Sequence, residues 1–163
     1  MNELTAAFAL GQLKKLDRIL GLLKEKKKKF KQQVAAAEIP GMGFRKINDP
    51  EECATLFTVL FEDKGVAARV AKALRTKTVS ESGWHVYNHM EQILAVSDEH
   101  GKKRYWKHLL PRTDDILARA INLSIGVVDP GLGAGFGISI LAGDEEIERK
   151  AELFIKTVKK IIR

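Results

Sequence analysis

One cysteine, Cys53, stands in a chain of 163 residues. That excludes an internal disulfide and a cysteine-based zinc site. Glu51 and Glu52 precede it, and negative neighbours work against a reactive thiolate, so a nucleophilic role is not expected. No apolar run approaches the ~20 residues that cross a bilayer. A secretory leader is not expected either, because Glu3 stands where a basic start belongs and Lys14, Lys15 and Asp17 interrupt the apolar stretch. These absences fit a protein of a reducing cytoplasm. No GxxxxGK[ST] phosphate loop and no nucleophile elbow occur. Gly131, Gly133, Gly135 and Gly137 alternate without GxGxxG spacing or a surrounding βαβ unit, and read as a turn and a thin strand.

What is abundant is positive charge, and it is unevenly placed. The net charge is +7. Residues 1–37 carry nine Lys or Arg against Glu3, Asp17 and Glu25, a net +6, which leaves the remainder near neutral. A basic helix can attract nucleic acid or an anionic membrane surface, and it can equally be a solvated face. Lysine dominates over arginine, and only Phe30 interleaves the run, so base stacking or groove reading is not favoured.

The first 36 residues read as one long amphipathic helix. Leu4, Phe8, Leu10, Leu13, Leu16, Leu20, Leu23, Phe30 and Val34 recur mostly three, four or seven apart. At about 1.5 Å per residue such a helix outruns a domain of this size, so one end projects or packs on something else. Pro40, Gly41 and Gly43 then turn the chain. Strands are expected at 44–47, 54–62, 120–128 and 136–141, and helices at 66–74, from Thr113-Asp114-Asp115 to Arg119 with Ile116 and Leu117 inward, and at 143–162. Residues 76–82 are loop or edge strand, and 95–112 an irregular charged loop ending at Pro111. The order predicts one α+β domain over 1–163: a long helix over 1–37, then an α/β sandwich over 38–163. Its small, mainly antiparallel sheet has helices on one face and an open face that suits a partner.

Trp84 to Gln92 (WHVYNHMEQ) is the densest ring-bearing stretch. On a helix, His85 and His89 would share a face, with His100, His108 or a carboxylate as a third metal ligand, yet no Glu lies between them to act as a base. The alternatives are packing or loop anchoring by Trp84 and Tyr87, or a polar lining for a small-molecule pocket. From the residues alone the chain is an α+β domain without an assigned role.

Met1-Asn2-Glu3-Leu4-Thr5-Ala6-Ala7, followed by Gly11-Gln12-Leu13-Lys14-Lys15-Leu16-Asp17, resembles the pyridoxal-phosphate-dependent sugar aminotransferases of the DegT/DnrJ type, within the aspartate aminotransferase-like fold type I. That family carries N-x-R-M, then E-L-x-A-A, then Q-L-x-K-L-D on a long helix. The resemblance extends in order through the strand near residue 56, the helix around 67–74, the segment Trp84 to His89 (WHVYNH, where most members have P-L-H, so that only His89 aligns), and Thr113-Asp114 and Arg119. It covers nearly the whole chain but only the C-terminal part of the family's length.

The resemblance implies the small domain of an enzyme that moves an amino group, usually from glutamate, onto a keto-sugar or nucleotide-sugar. It implies a homodimer with active sites at the subunit interface, and a small domain that covers the site and helps choose the substrate. On that reading Trp84, His85, Tyr87 and His89 touch the sugar, an acidic one being suggested by the histidines and nearby lysines. The Schiff-base lysine and the main cofactor-binding residues belong to the family's large N-terminal domain. That domain is absent from these 163 residues, so no catalytic residue is assigned here, and this chain alone is expected to bind no pyridoxal phosphate and to be inactive.

Overall fold

The computed structural model describes residues 2–49, 51–83, 86–128 and 135–163. The opening segment is helical but divided: α1 spans Glu3–Leu13 and α2 spans Leu16–Ala36. The Asn2 side chain caps α1, accepting from the Thr5 amide at 2.8 Å. The expected continuous rod breaks at Lys14–Lys15 because the apolar register slips there. From Leu16 onward, positions 16, 20, 23, 27, 30 and 34 keep steps of three and four and share one face, of which Leu23, Lys27, Phe30 and Val34 are buried. On α1, Leu4 and Phe8 lie on one side, whereas Leu10 and Leu13 lie roughly half a turn round the axis. No straight helix could press both sets and the α2 stripe on one core. No residue of α1 is buried, and Leu4, Phe8 and Leu13 are 81%, 69% and 63% exposed.

The sheet has the order β1-β2-β3-β4, with β1 at Met42–Phe44, β2 at Leu56–Phe61, β3 at Ala120–Gly126 and β4 at Gly137–Ser139. The β1/β2 and β2/β3 pairs are antiparallel, and β3/β4 is parallel. Register puts Phe57 opposite Leu123 and Val59 opposite Ile121. These, with Phe61 and Ile125, form the buried face, as the period of two requires. On the other face Thr58 stands opposite Asn122 and donates to it at 2.7 Å, and both are half-buried. The fold is α+β, as its pattern implied, with a mainly antiparallel sheet and one strongly buried face.

Three helices pack on this face and add most of the remaining core: α2, α3 (Lys64–Ala73) and α7 (Asp144–Ile162). Phe30 of α2 meets Phe57 edge-on at 5.5 Å between centroids and Phe154 of α7 at 6.2 Å. Ile147, Ala151, Phe154 and Val158 are buried on α7, as its spacing predicts. Asp63 caps α3, accepting from the Val66 amide at 2.7 Å. Lys29 of α2 pairs with Asp144 in the first turn of α7 at 2.7 Å, and Lys26 donates to the Ala142 carbonyl.

Several boundaries differ from the sequence reading. The first strand precedes Arg45. The segment after Thr76 contributes one bridge, Thr78 to Ile121, and then the short helix α4, Val79–Ser82, closed by a Thr78–Glu81 capping box. A second short helix, α5, spans Glu91–Ala95. Helix α6 runs Pro111–Arg119. It starts on Pro111 because a proline at the first helical position loses no useful amide. Asp114 therefore lies inside the first turn and caps nothing. Ile116, expected inward, is 49% exposed, while Leu117 is half-buried.

Candidate functional site

Trp84 and His85 lie outside the described residues. Val86 is extended, and Tyr87–His89 is a single 3-10 turn, so no α-helix through 86–89 places histidines four apart on one face. The two other predicted residues go different ways. His89 is exposed, with Nε2 3.2 Å from the Ser80 carbonyl. Tyr87 is half-buried, and its hydroxyl accepts from the Leu110 amide at 2.9 Å. Tyr87 thus ties the 3-10 turn to Leu110, where the 95–112 loop meets the start of α6.

The centre of this region is Asp114, in the first turn of α6. Asn88 Nδ2 donates to its Oδ1 at 2.9 Å, and His108 Nδ1 lies 3.1 Å from its Oδ2. The His108 amide donates to Asn88 Oδ1 at 2.8 Å, closing a ring of contacts across residues 88, 108 and 114. Partial desolvation raises the Asp114 carboxyl's pKa, but hydrogen bonds from Tyr87, His108 and Asn88 outweigh it and hold the group below the ordinary carboxylate range. His108 adopts φ +65°, a left-handed conformation that histidine tolerates better than most residues. None of this was visible in the spacing, because Asn88 and His108 are twenty residues apart across an irregular loop.

These groups border a cleft of about 410 Å³, with Lys64, Ser80, Asn88, His108, Asp114 and Asp115 as its polar side chains and Val86 and Leu117 among the apolar ones. Hydroxyl, amide and carboxylate groups over an apolar patch can hydrogen-bond a hydroxylated ligand. Asp114 is paired with His108 and Asp115 with Arg119, and Lys64 is the one lysine or arginine of the described lining. A single lysine is too little for the phosphate of pyridoxal phosphate, so the described lining does not fit that group. Among the described residues, no group of three or more His, Cys, Asp and Glu could hold a metal. His100 sits beside Glu99 instead, at 3.6 Å, and His108 is taken by Asp114.

The lysine run, unassigned from the sequence, has specific partners. Lys27 occupies the gap in the α2 apolar stripe, is 7% exposed, and donates to both oxygens of Glu52 at 2.6 and 2.7 Å. Lys24 pairs with Glu51 at 2.5 Å. Hydrogen bonds to Asp144 and then Glu25 push the Lys29 ammonium's pKa up, and the same contact with Lys29 pulls that of Asp144 down. Both carboxylates that precede Cys53 are thus turned to α2, and Cys53 is exposed and free. Among the described residues, no helix is long and apolar enough to cross a membrane. No family model matches the sequence.

Proposed function

We propose that this chain is the small, substrate-covering domain of a pyridoxal-phosphate-dependent sugar aminotransferase of the DegT/DnrJ type, working with a large domain that holds the cofactor and the Schiff-base lysine. The observation that carries the reading is the opening helix pair. The E-L-x-A-A element falls on α1, and Gln12-Leu13-Lys14-Lys15-Leu16-Asp17 spans the break into α2. Alpha1 presents Leu4, Phe8, Leu10 and Leu13 to its surroundings, each more than half exposed among the described residues. An exposed apolar helix of this kind is suited to a neighbouring domain or subunit, and a homodimer follows from the resemblance.

On this reading the cofactor supplies the electron sink for transamination, and the residues of this chain orient and cover the substrate. Tyr87, Asn88 and Asp114 hold the wall of the 410 Å³ cleft in shape; the Ser80 hydroxyl, whose proton goes to Thr78 Oγ1, and the Asp115 oxygen not taken by Arg119 offer acceptors to sugar hydroxyls, and Lys64 offers a donor. Lys27, the one buried lysine among the described residues, has its ammonium committed to Glu52 and is not available as an amine nucleophile. The chain by itself is expected to convert no keto-sugar when given pyridoxal phosphate and glutamate. The DNA immediately upstream of the Met1 codon tests the assignment. It is expected to encode a large domain bearing the Schiff-base lysine, and a locus without such a domain would overturn the reading.

A further inference from the structure

A second cleft, of about 250 Å³, lies between α2 and the β1–β2 edge of the sheet and shares no residue with the cleft beside Asp114. Its charged lining is Lys24, Lys27, Lys28, Lys31, Arg45 and Glu52. The four lysines fall at i, i+3, i+4 and i+7, one face of α2, so the helix itself gathers them. Like charges four apart destabilise one another, and Glu52 with the nearby Glu51 relieves only Lys27 and Lys24. Lys28 and Arg45 are exposed and, among the described residues, have no anionic partner. Lys31 is exposed as well, with Nζ 5.8 Å from the centroid of the Phe44 ring. Phe44 and Ile47 are half-buried at the mouth, and Phe57 and Ala54 are buried beneath.

We infer that this cleft binds a compact organic phosphate, its phosphate held by Lys28, Lys31 and Arg45 and its apolar part lying on Phe44 and Ile47. Phosphate is favoured over carboxylate because four lysines and one guanidinium surround the space, and two of those lysines, Lys28 and Lys31, are not paired with a carboxylate among the described residues. Ammonium groups act as point charges that suit a compact dianion, whereas a planar carboxylate is best matched by guanidinium forks. A small ligand is favoured over a nucleic acid because the volume lies below the usual range for drug-sized sites. Phe44 is also the single half-exposed ring there, too little for a row of stacked bases.

The test is calorimetric titration of the full 163-residue chain with phenyl phosphate, inorganic phosphate and benzoate at low salt. Phenyl phosphate is expected to bind more tightly than either of the others. Lys28→Ala/Arg45→Ala should weaken it by about tenfold or more, since each removes a charge-assisted contact. Lys159→Ala/Lys160→Ala removes the same charge from exposed positions on α7 and should change binding by less than about twofold if only the net field acts there. Lys28→Gln should give an intermediate loss, and unchanged circular-dichroism melting would show that the surface variants fold. Absence of binding by phenyl phosphate, or equal weakening by the α7 pair, would overturn the inference. Tight binding of oligothymidylate that phenyl phosphate fails to displace would overturn it in favour of a polymer.

Discussion

Replacing Phe30 by alanine and, separately, Phe8 by alanine tests whether the opening segment is one structural element or two. Phe30 is fully buried, edge-on to Phe57 and against Phe154, and ties α2 to the sheet and to α7 at once. Phe8 is 69% exposed on α1. Truncating a buried phenylalanine costs about 3–5 kcal/mol, because transfer free energy is lost and a cavity remains. Phe30 belongs in that range, since rigid rings line the hole on two sides. Phe8→Ala should stay within about 0.5 kcal/mol, as for an ordinary surface change. With a urea slope of about 2 kcal/mol per molar, the first variant lowers the midpoint by roughly 2 M and the second leaves it nearly unmoved. The assay is urea unfolding followed by circular dichroism at low protein concentration, where association does not add to stability. A comparable loss in both variants would refute the division at Lys14–Lys15, because it would mean that α1 packs on this chain's own core.

Three further outcomes follow from particular contacts. Lys27→Met should destabilise by about 1–3 kcal/mol although methionine fills the space, because Glu52 is left part-buried without its donor; adding Glu52→Gln should recover part of the loss in the same urea assay. Gly126→Ala should cost about 2 kcal/mol, since φ there is +108° and a Cβ would come within 2.7 Å of Leu23 Cδ2; thermal melting reads it. Asp114→Asn should flatten the acid limb of stability. The folded-state pKa of Asp114 is depressed, so its contribution is fully present above the unfolded value of about 3.9 and is lost as pH falls through the folded value. Unfolding free energies measured from neutral pH into the acid should converge for wild type and variant. A constant difference across that range would count against the network.

The elements with a clean period were legible in advance. The buried stripe of α7 and the alternating strands 56–61 and 120–126 stand out because one face of each is apolar without interruption. The break at Lys14–Lys15 was obscured because α1 is apolar on two sides and so continues the composition of α2 without continuing its face. Lys27 was the overlooked signal: a charged residue where the stripe needs a core position implies a dedicated partner, and Glu52 is that partner. Around the candidate site, the ring of Tyr87 is legible in the sequence but its contact is not; His108 and Asp114 are read there in other roles, as a candidate metal ligand and at a helix start, and their meeting with Asn88 is hidden because a long irregular loop brings them together. The first turn of α6 was misplaced because Thr113-Asp114-Asp115 has capping chemistry, while Pro111 starts the helix two residues earlier. Trp84 and His85, the other half of the predicted sugar contact, lie outside the described residues.

Helix α1 is read here as a docking element for another folded unit. Light scattering of the purified chain over a range of concentrations is the decisive test. Burying Leu4 or Phe8 is worth about 1–2 kcal/mol apiece given their exposure, so dimers or larger species are predicted to grow with concentration. Phe8→Asp/Leu13→Asp is predicted to return the chain to monomer with its melting profile intact. A wild-type chain that stays monomeric at high concentration, or a double variant that associates just as strongly, would contradict the claim.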